Sequence, residues 1–294
     1  MARALAGVAA FVVLGMLSVG ATAAPRGQTE PQQVTLIGDS VADAIAQTST
    51  AVVEVRREIE LNLQVAPCRR VNGQSCPYNG VRPPNVIQLV QSLGQALGPN
   101  VVVAVGYNDF ESTFSQDVAS ALGALESAGA RRIFWLTLRA ARHPYLTMNA
   151  ALESAAADHP DLTIVDWNVY SRSHPDWFQS DGIHLNYAGA MAMATLIHKA
   201  LEKAGVAAPD VRVKTAKLPV ATRGSAYSAR LVGAAGIGPY RWSLLQRAPA
   251  GLHLEADGTV RGRPRVAAGA YTFNVRVTDS TGTSSTRRLT LHVR

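Results

Sequence analysis

The sequence predicts an α/β protein: a doubly wound, mostly parallel sheet followed by a small all-β sandwich. Three observations predict it. Between Val34 and Ala204, short apolar runs alternate with helical patterns, the signature of strands and helices wound about a parallel sheet. Within that region Val101-Val102-Val103-Ala104-Val105 is apolar throughout, as a strand buried on both faces requires. From Pro209 onward helical spacing disappears, and short strand-like runs are separated by Gly and Pro. A composition of 47% hydrophobic and 17% charged residues over 294 positions excludes a disordered chain and suits one ordinary domain plus a smaller one.

Taken in order, the chain opens on Met1-Ala2-Arg3, an apolar stretch from Ala4 to Val19, and Ala21-Thr22-Ala23. That is a secretory signal over 1–23, cleaved after Ala23, rather than a membrane anchor. Residues 24–33 are a polar leader. Val34–Ile37 is a strand, 41–58 a helix, and Leu61–Val65 a second strand. A Gly/Pro-rich loop then runs from Pro67 to Pro84. Asn85–Leu97 carries a wide apolar stripe and reads as a helix stopped by Gly98-Pro99. Strands over 101–105, 133–138 and 162–167 alternate with helices over 115–128, 145–157 and 188–204. The α/β domain thus spans 34–206. Strand runs follow at Ala226–Val232, Tyr240–Leu244, Thr259–Arg261, Tyr271–Thr278 and Arg288–Val293, giving a β domain over 209–294.

Charge divides along the same boundary. Residues 209–294 hold 14 Lys+Arg against 4 Asp+Glu, a net +10; the rest hold 14 against 17, a net −3, together the +7 of the whole chain. No nucleic-acid motif accompanies the basic domain, and no nucleic-acid partner is expected. An anionic envelope polymer is one partner it would suit, and an inert basic spacer the other reading. Cys68 and Cys76 are the only cysteines. In an exported protein so close a pair reads as a disulfide, since no neighbouring His or Cys pair completes a zinc site. The histidines at 143, 159, 174, 198, 253 and 292 show no metal spacing, and no glycine loop cradles a phosphate. Neither a metal nor a cofactor is expected.

Chemistry concentrates at the carboxyl ends of the predicted strands, where open α/β sheets bind ligands. Ser40, in Gly38-Asp39-Ser40, falls at a strand-to-helix turn. A hydroxyl there can attack a carbonyl while its own N–H helps hold the oxyanion. An ordinary N-cap serine is the alternative. Acyl transfer also needs a base, a group that orients the base, and oxyanion donors. His184 is the candidate base, Asp181 three residues earlier its orienting carboxylate, and Asn108, just past the 101–105 strand, an oxyanion donor.

Gly38-Asp39-Ser40, Gly106-Tyr107-Asn108-Asp109 and Asp181-Gly182-Ile183-His184 resemble, in order and placement, the motif blocks of the SGNH/GDSL hydrolase family. The resemblance covers about residues 33–204. It implies a flavodoxin-like domain with Ser40 as nucleophile, Asp181 and His184 completing the triad, and Asn108 donating to the oxyanion hole. The backbone N–H groups of the serine and of a second-block glycine would complete that hole. Here the sequence departs from the family pattern. The residue best placed for that glycine is Cys68, whose N–H would still serve, with Gly73 and Gly80 as alternatives.

The segment from His174 to Gly189 is similar, more narrowly, to the catalytic domain of peptidoglycan O-acetyltransferases and to SGNH domains attached to membrane acyltransferases. No multi-span acyltransferase precedes it in this sequence, which favours a free-standing esterase. The stretches Pro239-Tyr240-Arg241-Trp242-Ser243 and Gly269-Ala270-Tyr271-Thr272-Phe273 resemble Ig-like modules of exported bacterial proteins. The expectation is a secreted or periplasmic serine esterase without a membrane span after signal cleavage. It would act on O-acyl esters, O-acetyl above all, of a cell-envelope polysaccharide. An O-acetyltransferase using the same triad and a non-catalytic envelope-binding protein are the rivals.

Overall fold

A computed structural model describes residues 30–140 and 143–294. The proposed signal segment and most of the leader lie outside the described residues. Five parallel strands, β1 (Gln32–Gly38), β2 (Ile59–Val65), β3 (Asn100–Ala104), β4 (Arg132–Leu136) and β5 (Leu162–Val165), form one sheet in the order β2-β1-β3-β4-β5. This is the flavodoxin-like order, with its switch point between β1 and β3. All five residues of β3 are buried, and so is Val105, so the apolar run over 101–105 is buried throughout as expected.

Among the described residues, seven helices cover the sheet: α1 (Ser40–Ala46), α2 (Ser49–Arg56), α3 (Val86–Leu93), α4 (Glu111–Ser127), α5 (His143–Asp158), α6 (Trp167–Ser171) and α7 (Tyr187–Lys203). The helix expected over 41–58 is two. Gln47 closes α1 and Thr48, in extended conformation, opens α2. Thr48-Ser49-Thr50 is a run of hydroxyl residues that compete for backbone groups, so it favours a helix end over a helix interior. The expected helix over 85–97 keeps its α form only to Leu93, opened by a capping box between Asn85 and Gln88, and tightens to a 3₁₀ turn at Gly94–Leu97. The fifth strand stops at Val165 because Asp166 caps α6, its carboxylate accepting from the Val169 N–H at 3.0 Å.

The C-terminal region pairs two antiparallel three-stranded sheets. One contains β7 (Tyr227–Arg230), β10 (Leu252–Leu254) and β11 (Thr259–Gly262), in the order β10-β11-β7. The other contains β9 (Arg241–Leu244), β12 (Gly269–Thr278) and β13 (Ser284–Val293), in the order β13-β12-β9. A two-stranded ladder joins β6 (Arg212–Val213) to β8 (Gly233–Ala234). The short strands β6, β8 and β10 were not legible in the sequence: two or three residues leave no periodicity to read. Trp242, Val260, Phe273, Val275, Val277, Leu289 and Leu291 fill the space between the sheets.

Each region has its own apolar core, one ending at Ala207 and the other beginning at Val211. Polar contacts join them. Arg57 pairs with Asp210 and, at 2.7 Å, with Glu54. Glu58 occupies the turn between α2 and β2 with φ +60°, a left-handed conformation that normally favours glycine, and is fully buried. Its carboxyl accepts from the Thr281 hydroxyl of the β12–β13 turn at 3.3 Å. Among the described residues, no helix is long and apolar enough to cross a membrane.

Candidate active site

The site lies at the switch point, where β1 and β3 leave the sheet side by side. At the end of β1 the chain turns directly into α1. The N-cap of α1 is Asp39, whose carboxylate accepts from the Val41 N–H at 2.9 Å. Ser40 is therefore the first helical residue and not the cap, so its hydroxyl is released from backbone duty. Its N–H belongs to the first turn, whose donors have no partner within the helix. Gly38 is required just before it. A Cβ there would stand 2.5 Å from the Ala42 Cβ and 2.8 Å from the Val65 side chain.

The half-buried Ser40 hydroxyl lies 3.0 Å from Nε2 of His184, 144 residues away in sequence. Nδ1 of the same ring lies 2.5 Å from Asp181 Oδ2. Asp181 Oδ1 accepts the N–H groups of Ile183 and His184, both at 2.9 Å. Burial pushes this carboxyl up, but the His184 ring and those two N–H groups outweigh it and hold the pKa at about 2. Asp181 is thus ionised at any working pH and fixes the imidazole with its Nδ1 proton toward the carboxylate. Nε2 is left to accept from Ser40.

The loop carrying both residues is stapled at its base. Gln179 N–H donates to the His184 carbonyl at 2.7 Å, and Asn186 N–H to the Trp177 carbonyl at 3.1 Å. Beneath it the His174 ring stacks on Trp177 at 3.8 Å, and Trp177 on the buried Trp167 at 6.0 Å. Gly189, in the first turn of α7, lets the helix approach this loop. A Cβ there would fall 2.1 Å from the Trp177 carbonyl oxygen.

Asn108 stands on the loop after β3, and its Nδ2 donates to the Arg69 carbonyl at 3.2 Å. One amide hydrogen is so used, and the same nitrogen carries a second. Cys68, bridged to Cys76, immediately precedes Arg69 and has φ +67°. This is the conformation glycine adopts most readily. The loop containing it rests on the Ser40 turn: Ala66 N–H donates to the Gly38 carbonyl at 3.1 Å and Arg69 Nε to the same oxygen at 3.2 Å.

Three residues of this architecture were not singled out by sequence reasoning, although two stand within the motif blocks. Asp39 is fully buried, and its Oδ2 accepts the N–H groups of Gly106 and Tyr107, each at 3.2 Å. It thereby locks the Asn108 loop to the Ser40 turn. Burial raises its pKa to about 6 against the pull of those donors. Asp109 accepts the Val71 N–H on both oxygens, at 3.0 and 3.1 Å, and lies 3.5 Å from Arg70. Its pKa is pushed up to about 7 by burial. Arg69, 3% exposed, donates Nη1 to the Pro84 carbonyl at 2.7 Å. Burial lowers its pKa to about 10, and nearby Asp39 opposes the fall. Their signal was an acid beside each candidate residue, in Asp39-Ser40 and Asn108-Asp109, where an acid facing the core must accept from backbone. Among the described residues, no group of three His, Cys, Asp or Glu side chains is placed to hold a metal ion.

At the switch point of this flavodoxin-like sheet the structure thus brings Ser40, His184 and Asp181 together, with the Asn108 loop beside them. Residues 209–294 match the family described as Putative Ig domain. Over 105 residues the chain is 36% identical to the O-acetyltransferase OatA of Staphylococcus aureus strain NCTC 8325 / PS 47. That match covers 36% of this chain and 17% of the relative, so the chain corresponds to only a small part of that protein. Among solved structures, the C-terminal catalytic domain of Streptococcus pneumoniae peptidoglycan O-acetyltransferase A, carrying a methylsulfonyl adduct, is 23% identical. It matches 60% of this chain and 96% of its own, with a TM-score of 0.46. A putative arylesterase from Agrobacterium tumefaciens strain C58 is 12% identical, matching 58% of this chain and 99% of its own, with a TM-score of 0.47.

Proposed function

We propose that this protein is an exported serine esterase that removes O-acyl, chiefly O-acetyl, groups from a polysaccharide of the cell envelope. The region 34–206 would be its catalytic domain. The observation that carries the reading is the unbroken relay from Ser40 through His184 to Asp181, with separations of 3.0 and 2.5 Å. In the proposed mechanism Ser40 Oγ attacks the ester carbonyl as His184 Nε2 takes its proton. Asp181 stabilises the imidazolium, and the tetrahedral oxyanion is held by Asn108 Nδ2 and the N–H groups of Ser40 and Cys68. His184 then protonates the leaving sugar oxygen and releases an acyl-Ser40 ester. Attack by water, its proton passing to His184, returns the free acid and the serine.

The similarity to O-acetyltransferases supports a second reading, in which a sugar hydroxyl replaces water at the acyl-enzyme. Hydrolysis is favoured by the openness of the dyad. The side chains of His184 and Asp181 are 41% and 39% exposed, which leaves the acyl-enzyme accessible to solvent. A transferase must hold water off while its acceptor binds. The test supplies an aryl acetate with and without glycan oligomers and measures free acetate against acetylated glycan by mass spectrometry. Free acetate in both conditions, abolished by Ser40→Ala, is expected. Acetylated glycan as the main product would establish transfer instead, and full turnover by Ser40→Ala would remove the triad assignment.

A further inference from the structure

The two outer faces of the C-terminal sandwich carry arginines in different company. On the β10-β11-β7 sheet, Arg261 pairs with Glu255, and Arg230 lies 3.9 Å from Asp257. On the β13-β12-β9 sheet the inward positions are Phe273, Val275, Val277, Trp242, Leu289 and Leu291, so the alternate residues face outward. Arg241, Arg276 and Arg288 are among those outward residues, all three exposed. Among the described residues, none of them has an acidic partner.

The four acids of the module account for this asymmetry. Glu255 and Asp257 serve the opposite sheet, Asp210 pairs with Arg57, and Asp279 is buried. Register then fixes how the three free arginines are arranged. Arg288 lies opposite Asn274, Arg276 opposite Ser243, and Arg241 opposite Thr278. Each step therefore crosses one strand and moves two residues along it. The result is a diagonal row with neighbours about 8 Å apart, from a strand spacing of about 4.8 Å and a rise of about 3.4 Å per residue. The Arg288 guanidinium is held to the face by donating to the Thr272 hydroxyl at 3.2 Å.

We propose that this face docks a linear acidic polysaccharide, its carboxylates meeting the Arg288–Arg276–Arg241 row. The planar guanidinium fork matches carboxylate geometry in two parallel hydrogen bonds. Around the row stand Thr272, Asn274, Thr278, Ser243, Thr286 and Thr290, which offer hydroxyl and amide groups to sugar hydroxyls. These positions include no aromatic side chain on which a nucleic-acid base would stack, so the surface favours a glycan. Carried on the same chain as an ester-cleaving site, such a face retains the polymer whose acyl groups are removed. That last link rests on the esterase reading; the binding itself does not.

The experiment separates the two. Full-length protein carrying Ser40→Ala, which reads no ester chemistry, is titrated with polygalacturonate, with neutral dextran and with duplex DNA. The row variant Arg241→Gln/Arg276→Gln/Arg288→Gln is compared with the charge-matched Lys217→Gln/Arg230→Gln/Arg261→Gln. We expect polygalacturonate to be bound in preference to the other two, and about tenfold more weakly by the row variant alone, the scale of three exposed ion pairs. Binding should be lost between about 0.05 and about 0.5 M salt as screening shortens. Equal loss in both triple variants would reduce the effect to net charge and overturn the site. Tighter binding to DNA than to polygalacturonate would overturn the choice of a glycan. Thermal melting verifies that each variant is folded, and the single Arg276→Gln substitution repeats the test with minimal disturbance. Turnover of an aryl acetate by the row variant with Ser40 intact should equal that of the parent.

Discussion

Replacing Glu58 by glutamine is expected to change how the stability of this protein depends on pH. Glu58 is fully buried where the two regions meet, with Oε1 accepting from Thr281 and, among the described residues, Oε2 without a hydrogen-bond partner. Facing it is Asp279, whose oxygens accept the N–H groups of Ile237, Thr281 and Thr283 at 3.1, 3.0 and 3.0 Å. Two carboxyls so placed share one proton. Burial and the neighbouring Asp279 raise Glu58 from 4.5 to about 8. For Asp279 burial acts upward, but the bond with Glu58 and the backbone donors outweigh it and lower the pKa. Between about pH 5 and about pH 8 the folded protein therefore keeps a proton on Glu58 that the unfolded chain has released. The stability this confers is fully present below the unfolded value and is lost as pH rises through the folded one. The slope reaches about 1.4 kcal/mol per pH unit, an upper bound of about 4 kcal/mol across the window. The Asp279 contribution runs the other way. It is present above the ordinary aspartate range and falls away in acid, outside this window.

Glu58→Gln keeps the shape, stays neutral, and offers Asp279 an amide donor where the shared proton was. Wild type and variant should be similarly stable near pH 5, and the variant should be the more stable by pH 8. Urea unfolding of the full chain at a series of pH values reads the difference directly. Parallel curves for the two proteins would refute the shared proton.

Asn108→Ala should lower kcat on an aryl acetate by about 10²–10³ with the fold intact, the scale of one oxyanion donor; an unchanged kcat would remove Asn108 from the oxyanion hole. Breaking the Cys68–Cys76 bridge with a Cys68→Ala/Cys76→Ala pair should cost about 2–3 kcal/mol in urea unfolding, as expected for so short a loop. Cys68→Ala also tests whether the side chain matters to catalysis, since only the N–H is asked to donate. Gly189→Ala drives a methyl into the Trp177 carbonyl, which is backbone and cannot swing aside. It should lower stability by about 1–3 kcal/mol and kcat with it, and a variant with wild-type melting and turnover would show that the loop yields freely.

The sequence by itself determined the strand–helix alternation, the change to β structure near Pro209, and the three blocks holding Ser40, Asn108, Asp181 and His184. These are local facts. An apolar run bounded by glycine declares a buried strand, and Asx-rich turns at strand ends declare a site wherever the sheet puts them. Tertiary structure alone decided which strands are neighbours. It is the pairing of β1 with β3 that brings Asn108 beside the Ser40 turn, and the docking of α7 that brings His184 to within 3.0 Å of Ser40. It also decided that Asp39 and not Ser40 caps α1, because the Asp39 carboxylate is drawn inward by two N–H groups from a loop 67 and 68 residues away. The arginine row is the same kind of fact. A net charge of +10 is written in the composition, but three unpaired arginines on one face follow from the strand register and from where the four acids are spent. Hydrophobic periodicity is set by chain neighbours and survives in one dimension. Hydrogen bonds and ion pairs between distant segments exist only once packing has chosen which buried groups must satisfy one another.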